Sequence, residues 1–161
     1  MEKEELIGKY AAGERNFRNL VLGSGEFGSL NLSDTDFSGS RMNSYLVETN
    51  LSGANLMAVS FVDAQLIDAN LTRANLRKAD LRGTDIRGAN LTDADLREAK
   101  LYETQLDRAN LTGADLRGVK LQKCGLRETN LTYANMEGSK LVKCFLCYTI
   151  MPDGIIRNDN C

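Results

Sequence analysis

Large apolar residues recur at every fifth position of this chain from Leu46 to Met151, and a small residue stands two positions before each of them. A period of five matches neither the 3.6 of an α-helix nor the 2 of a single strand. Residues two apart share a face only in an extended segment, so the small residue and the large apolar residue both point inward. The residue between them, usually Asn or Asp, points outward, and the next two bend the chain. The pattern therefore predicts a wound tube with one short side per five residues.

A second period of twenty residues sets the number of sides in each coil. Threonine follows the inward apolar residue in every fourth repeat, and arginine and lysine recur at the same interval. These columns are Thr72, Thr92, Thr112 and Thr132; Arg77, Arg97 and Arg117; and Lys100, Lys120 and Lys140. Four sides per coil stack equivalent residues above one another, as in solenoid proteins. Several second bend positions hold glycine, which suits a turn with positive φ: Gly53, Gly83, Gly88, Gly113, Gly118 and Gly138.

Three consecutive repeats show the unit most clearly: Ala69-Asn70-Leu71-Thr72-Arg73, Ala74-Asn75-Leu76-Arg77-Lys78 and Ala79-Asp80-Leu81-Arg82-Gly83. This unit, Ala-(Asp/Asn)-Leu-x-x, resembles the pentapeptide-repeat family over most of the chain. The resemblance implies an all-β fold, a right-handed quadrilateral β-helix with four pentapeptides per coil and about seven coils. The handedness comes from the family alone. Long runs of the unit behind an N-terminal lid are similar to cyanobacterial members, which implies a bacterial cytoplasmic protein.

Both ends of such a tube leave unpaired strand edges that must be covered. Residues 1–14 are predicted to form a short N-terminal capping helix that ends at Gly13. Its apolar side would consist of Leu6, Ile7, Tyr10 and Ala11. The repeats would occupy 15–151, and 152–161 would form a C-terminal cap whose Ile155 and Ile156 fold back onto the last coil. With one proline and no linker-like run, 1–161 is expected to be a single domain.

The regular spacing breaks once. Between Met42 and Leu46 the interval drops from five residues to four, so one side of the tube is short. We expect a local kink or bulge around Asn43, Ser44 and Tyr45 rather than a domain boundary.

The four cysteines predict neither a disulfide nor a metal site. Cys124 and Cys144 occupy inward small positions, where a free thiol behaves as a small apolar group. Cys147 points outward and Cys161 lies in the tail, so these two are expected to be free and to react first. The chain has no histidine, and its one CxxC pair, Cys144 and Cys147, is divided between an inward and an outward position, so we expect no metal and no cofactor.

The sequence offers no set of residues typical of a catalytic site. The chain has no histidine to act as a base near neutral pH, and its carboxylates are scattered over outward columns. Small and large apolar side chains fill the tube, whereas an enzyme needs a concave pocket with convergent polar groups. We therefore expect no enzyme activity. No apolar run reaches membrane-spanning length and no secretory signal opens the chain, so we expect a cytoplasmic protein without a membrane partner.

Two outward sets of residues are candidates for a contact surface. The first is called the lysine wall here and consists of Lys100, Lys120, Lys123, Lys140 and Lys143, with Glu103 as the main nearby acid. It suits an acidic partner, and it is also typical of a plain solvated face. The second is called the C-terminal apolar set and consists of Val142, Phe145, Cys147, Tyr148 and Ile150. It indicates a homodimer or partner interface, or else a surface that the tail covers.

The remaining columns have structural explanations. Stacked asparagines bond their own coil and its neighbours, and the arginine column has Asp95, Glu98 and Asp115 beside it. The favoured function is thus a non-enzymatic scaffold that binds an unidentified protein. The alternative is a DNA mimic that binds gyrase or a topoisomerase, as some family members do. A mimic needs rows of carboxylates, whereas the net charge is -2 and the clearest columns are basic. That balance also argues against direct binding of nucleic acid.

Overall fold

The computed structural model describes residues 1–161 as a short helix followed by a tube of stacked coils. Most residues between a small and a large inward residue form a parallel β-bridge with the residue twenty positions later. One column of bridges runs Asn50↔Asn70, Asn70↔Asn90, Asn90↔Asn110 and Asn110↔Asn130. The interval of twenty predicted from the Thr, Arg and Lys columns is therefore the repeat of one coil, with four five-residue sides.

Regular secondary structure is brief because each side is only a few extended residues long before the next bend. The helix α1 spans Lys3–Ala11. The strands are β1 (Val21–Leu22), β2 (Arg41–Met42), β3 (Leu101–Tyr102), β4 (Lys120–Gln122), β5 (Lys140–Val142), β6 (Thr149–Ile150) and β7 (Ile156–Arg157). Strands β1 and β2 pair in parallel, β3, β4 and β5 form a parallel three-stranded sheet, and β6 and β7 pair antiparallel.

The inward assignment holds along most of the tube. A single cluster of 41 buried apolar residues extends from Leu6 to Leu146, and it contains both the large residues and the alanines two positions before them. The large inward residues Met136, Leu141 and Met151 are only half-buried. They belong to the last coils, which lack a further complete coil above them.

Most bends are closed by the N–H of the small inward residue, which donates to the carbonyl of the large inward residue three positions earlier. Ala94 N–H to the Leu91 oxygen, at 3.0 Å, is one example. The second bend residue has positive φ, as the glycines predict: φ is 69° at Gly118. Most bends, however, carry other residues in the same conformation, such as Ala58 at 56° and Tyr133 at 60°.

Most polar residues at the small inward position share a hydrogen bond to the coil below that the sequence pattern did not reveal. The buried hydroxyl of Thr104 donates to the Leu81 carbonyl at 2.8 Å, 23 residues back, and that carbonyl also accepts the bend N–H of Thr84. Cys124 occupies the same column one coil later, and its thiol donates to the Leu101 carbonyl at 3.2 Å. The thiol of Cys144 repeats this bond with the Leu121 carbonyl at 3.3 Å. Both cysteines are buried and free, as predicted.

The short side between Met42 and Leu46 changes the register locally. Bridges across it join residues 19 apart, as in Glu26↔Tyr45, whereas Tyr45↔Gln65 restores the interval of twenty. The Asn43 side chain donates to the Val62 carbonyl one coil on. The predicted local irregularity is present, and the stack of coils continues through it.

The N-terminal helix is shorter than predicted, and fewer of its apolar residues contact the core. Leu6 is fully buried in the core, Tyr10 packs against it, and Gly13 adopts φ 91° after the helix. Ile7, in contrast, is 42% exposed, and Ala11 is also exposed. Leu6 and Tyr10 thus fix α1 on the first coil. This nine-residue helix is too short to cross a membrane, and no other helix is a candidate.

The C-terminal tail departs most from the sequence predictions. Residues 152–154 form the expected turn, and β7 lies antiparallel to β6. The side chains of Ile155 and Ile156 are 61% and 56% exposed, so they do not fold back onto the last coil. Asparagines of the tail cover the coil edge instead: Asn158 accepts the Tyr148 N–H at 2.7 Å, and Asn160 N–H donates to the Leu146 carbonyl at 3.0 Å.

Cys147 and Cys161 form a disulfide, with Cα atoms 5.1 Å apart. The prediction of two free, reactive thiols was therefore wrong. The tail runs back along the last coil, and this path brings its final residue beside the outward Cys147, a proximity that the five-residue spacing does not encode.

Candidate functional site

The lysine wall lies on the side of the tube that carries the three-stranded sheet. Strands β4 and β5 set Lys120 directly beside Lys140, and Lys100 immediately precedes β3. Lys123 and Lys143 are the positive-φ bend residues that end this side in successive coils, with φ of 57° and 53°. All five side chains are exposed. The structure thus brings the five predicted lysines onto one wall and the bend at its edge.

The five lysines differ in their pairing. Lys100 Nζ lies 3.7 Å from Asp80, and Lys123 Nζ lies 2.9 Å from Glu103 and donates to the Tyr102 hydroxyl at 2.7 Å. The hydrogen bond with Tyr102, and next that with Glu103, raise the pKa of Lys123 above its ordinary value.

Lys120, Lys140 and Lys143 form no ion pair: no carboxylate oxygen lies within 4.0 Å of their ammonium groups. The part of the wall nearest the C-terminus is therefore uncompensated. Lys100 and Lys123 each have an acidic partner, whereas these three lysines have none, although Lys100 lies in the same column as Lys120 and Lys140.

The C-terminal apolar set is partly open. Phe145 is 49% and Tyr148 62% exposed, whereas Val142, Cys147 and Ile150 are half-buried. The tail forms hydrogen bonds with main-chain groups of the last coil but leaves these two aromatic rings uncovered. Ile155 and Ile156 therefore do not cover the C-terminal apolar set. Arg127, from the coil below, holds its guanidinium carbon 5.6 Å from the centre of the Phe145 ring.

Four aspartates on the other walls are neutralised within their own repeats. In the Asp-Leu-Arg units the arginine binds the aspartate two residues earlier with two nitrogens; Arg117 contacts Asp115 at 2.7 Å and 2.9 Å. The same pairing occurs in Asp80–Arg82, Asp85–Arg87 and Asp95–Arg97. The arginine hydrogen bond lowers the pKa of Asp95 and of Asp115. These four aspartates are therefore present as ion pairs rather than as free carboxylates.

The threonine and asparagine columns are structural. The Thr112 hydroxyl donates to the Asn110 side chain at 2.6 Å, and the same Asn110 oxygen accepts the Thr112 N–H. The Asn110 amide donates to Thr92 in the neighbouring coil at 3.1 Å. These bonds use the polar groups within the wall, as the sequence predicted.

The surface hollows are shallow. One of about 350 Å³ near the N-terminal end is lined by no hydrophobic residue and has Arg15, Arg18, Asp34 and Asp36 around it. Burial pushes the pKa of Asp36 up, but hydrogen bonds from Ser38, Arg18 and Asn55 outweigh it and hold the pKa at about 2. Arg18 binds Asp36 at 2.7 Å, so the charges here compensate each other. No group of three or more Cys, Asp and Glu is placed to hold a metal ion.

Sequence reasoning missed two contributors to the candidate surface. Tyr102 binds Lys123, and Arg127 lies over Phe145; both are outward residues whose partners stand one coil away. The interval of twenty was the available signal, because it places residue 123 above 103 and residue 145 above 125. The side-chain directions that complete these contacts are not encoded in that interval.

Comparison with known proteins agrees with this architecture. A family model described as pentapeptide repeats (8 copies) matches residues 31–73, 74–113 and 109–146. No protein of curated function matches the chain.

Several solved structures are similar. HetL, a pentapeptide repeat protein involved in heterocyst differentiation regulation from Nostoc sp. strain PCC 7120, is 26% identical, with 98% of this chain and 100% of that chain covered and a TM-score of 0.45. A trypsin-treated form of QnrB1, a plasmid-mediated fluoroquinolone resistance protein, is 21% identical over 80% of this chain and 68% of that one, with a TM-score of 0.59. A pentapeptide repeat protein from the thylakoid lumen of Arabidopsis thaliana is 33% identical over 58% of this chain and 66% of that one, with a TM-score of 0.52. With more than half of its residues matched by the family model, and with five-residue sides bridged at intervals of twenty, the chain belongs to the pentapeptide repeat family.

Proposed function

We propose that this protein is a non-enzymatic interaction scaffold whose lysine wall binds a partner protein. The observation that carries the proposal is the uncompensated group Lys120, Lys140 and Lys143 on a protein in which most arginines pair with a carboxylate within or between coils. Cations that the fold does not neutralise are available for an acidic partner.

The core supports a scaffold rather than an enzyme. Its inward positions are filled by Leu, Phe and Ala, and its hollows are open to solvent. The arginine–aspartate pairs stiffen the remaining walls without offering a reactive group. Family members generally serve as structural or interaction modules, which agrees with this proposal. We further infer that the tube is a single right-handed domain of about seven coils, as the family fold implies.

A DNA mimic directed at gyrase is the competing function. It needs exposed carboxylates in rows, and here Asp80, Asp85, Asp95 and Asp115 each bind an arginine. We expect no inhibition in a gyrase supercoiling assay at micromolar protein. Inhibition that Asp95→Asn relieves would favour the mimic over the scaffold.

A cytoplasmic location stays a prediction. Disulfides such as Cys147–Cys161 persist mainly in oxidising compartments, whereas the cytoplasm keeps thiols reduced. Trapping of thiols in intact cells followed by mass spectrometry would give the redox state of this pair. A fully oxidised pair would argue for an oxidising compartment.

Affinity capture from the native cells tests the scaffold proposal. The bait is the intact protein, compared with a variant carrying Lys120→Glu, Lys140→Glu and Lys143→Glu. The control is Lys78→Glu, which changes an exposed lysine at the same bend position as Lys143, with φ 59°, in a different column. We expect a protein that the wild type and the control capture in similar amounts and the triple variant loses. Equal capture by all three baits would exclude the lysine wall.

A further inference from the structure

The lysine wall and the C-terminal apolar set meet at one edge of the tube. Lys143 is the exposed bend residue that ends the lysine side, and Phe145 is the first outward residue of the next side. Arg127 approaches the Phe145 ring from the coil below, at 5.6 Å. Cations therefore flank an exposed aromatic ring from the preceding bend and from the preceding coil. The two candidate surfaces predicted from the sequence form one continuous surface at this edge.

The charges at this edge indicate the kind of ligand. Lys140 and Lys143 have no carboxylate within 4.0 Å, and Arg127 forms no ion pair. Unpaired cations beside an exposed ring suit carboxylates that flank an apolar side chain, because the cations supply the charge and the ring supplies the apolar contact.

Nucleic acid suits the edge less well. Its affinity comes from neutralising many phosphates, whereas this chain has a net charge of -2 and places Glu103 and Glu128 among the cations. A long polyanion would meet these acids, while a short acidic segment can avoid them.

We propose that the edge formed by Lys120, Arg127, Lys140, Lys143 and Phe145 binds an acidic protein segment that carries an aromatic or aliphatic residue between its carboxylates. This deepens the proposed function and rests on it. The carboxylates of the segment pair with the free ammonium groups, and its apolar side chain packs on the Phe145 ring. The surface is a platform rather than a pocket, so binding is modest and weakens with salt.

A second copy of the chain is the competing occupant. Its helix α1 carries the acidic residues Glu4 and Glu5 next to the exposed Ile7. Such a contact would join unlike ends of two tubes and would lead to open chains of molecules rather than a closed dimer. Sedimentation over a range of protein concentrations separates this case from binding of a foreign segment.

Fluorescence anisotropy with a labelled synthetic peptide tests the proposal on the intact oxidised protein. The probe has four glutamates around a central phenylalanine; a second probe replaces that phenylalanine with serine, and a third is a short DNA duplex. We expect Lys140→Glu with Lys143→Glu to weaken binding of the first probe at least tenfold, and Phe145→Ser to weaken it several-fold. Lys78→Glu should bind as the wild type does.

The outcomes separate the two proposals. Equal affinity for the phenylalanine and serine probes, or tighter binding of the duplex, would overturn the acidic-segment proposal. So would self-association that Lys140→Glu with Lys143→Glu abolishes, because a second copy would then occupy the edge. If the peptides fail but affinity capture still depends on the lysine wall, the scaffold function stands and its partner is of another kind.

Discussion

Most bends of this tube place residues other than glycine at positive φ, among them Arg73, Glu128 and Tyr133. For an L-residue this conformation costs roughly 1–2 kcal/mol. The cost recurs around the whole tube, and the bend hydrogen bond and the packed inward pair must offset it each time. The bend column that contains Ala58 and Gly118 holds both kinds of residue, which makes the cost measurable.

Gly118→Ala should lower the free energy of unfolding by about 1 kcal/mol. A Cβ at Gly118 meets nothing within 4 Å, so the loss reports the conformation alone. Ala58→Gly, at φ 56° in the same column, should leave stability unchanged or raise it slightly, because relief of the positive φ offsets the added freedom of the unfolded chain. Urea denaturation of both variants measures the effect. Similar losses in the two would show that bend conformation does not limit stability.

The buried hydroxyl column makes a second prediction. Thr104→Val keeps the side-chain shape but removes the donor to the Leu81 carbonyl. We therefore expect the free energy of unfolding to fall by about 1 kcal/mol. Thr72→Val removes a hydroxyl that donates to Asn70 on the outer wall, where water can replace it, and should cost less. The urea midpoints of the two valine variants give the comparison. A larger loss at Thr72 would contradict the inward assignment of Thr104.

The two ends of the tube are sealed by different elements. The helix α1 inserts Leu6 into the core, whereas the tail uses Asn158 and Asn160 to bond main-chain groups of the last coil and the Cys147–Cys161 disulfide to hold its end. Both devices cover strand edges that would otherwise be free to pair with another chain. The C-terminal seal is polar, which explains why Phe145 and Tyr148 stay exposed beside it.

Cys161→Ser should release the tail without melting the tube. The Leu146 and Tyr148 amides, which donate to tail asparagines, should lose at least tenfold hydrogen-exchange protection, while the Leu91 amide in mid-tube should not change. The disulfide spans 14 residues, so global unfolding should become easier by at most about 3 kcal/mol. Unchanged exchange at Leu146 and Tyr148 would mean that hydrogen bonds alone hold the tail.

The regular part of the structure could be predicted because a repeat specifies each residue's direction from its place in the period. Inward Leu91, outward Asn90 and bend residue Gly118 all followed from the spacing. The tail could not be predicted, since its path depends on hydrogen bonds between non-repeating residues and the last coil. The candidate edge was predicted in two separate halves, because the sequence gives columns along the tube but not contacts such as Arg127 with Phe145.

Charge compensation distinguishes the body of the molecule from its C-terminal end. Through the middle coils, arginine–aspartate pairs repeat along the walls, and Arg97 reaches two aspartates, its own Asp95 and Asp115 one coil later at 3.4 Å. These exposed pairs contribute little individually. Together they hold carboxylates in their charged form, and they leave the unpaired lysines near the C-terminus as the contrasting feature.

The free energy of unfolding should therefore fall in acid and should not vary with pH near neutrality. Hydrogen bonds from Arg82, Arg97 and Arg117 lower the pKa values of Asp80, Asp95 and Asp115, and the pKa of Asp36 is about 2. A carboxyl whose pKa is lower in the folded chain stabilises the fold above its unfolded value, near 4, and this contribution is lost as the pH falls through the folded value.

We expect the urea midpoint to be constant between pH 5 and 8, since the chain has no histidine, and to fall steadily from about pH 4 towards pH 2. Asp115→Asn should reduce the acid-dependent part of this fall, because the amide cannot titrate beneath Arg97 and Arg117. The matched control is Asp153→Asn, which replaces an aspartate in the tail turn that forms no ion pair, and it should follow the wild-type curve. A midpoint that stays constant down to pH 2, or one that changes near pH 6, would contradict paired carboxylates as the source of the acid sensitivity.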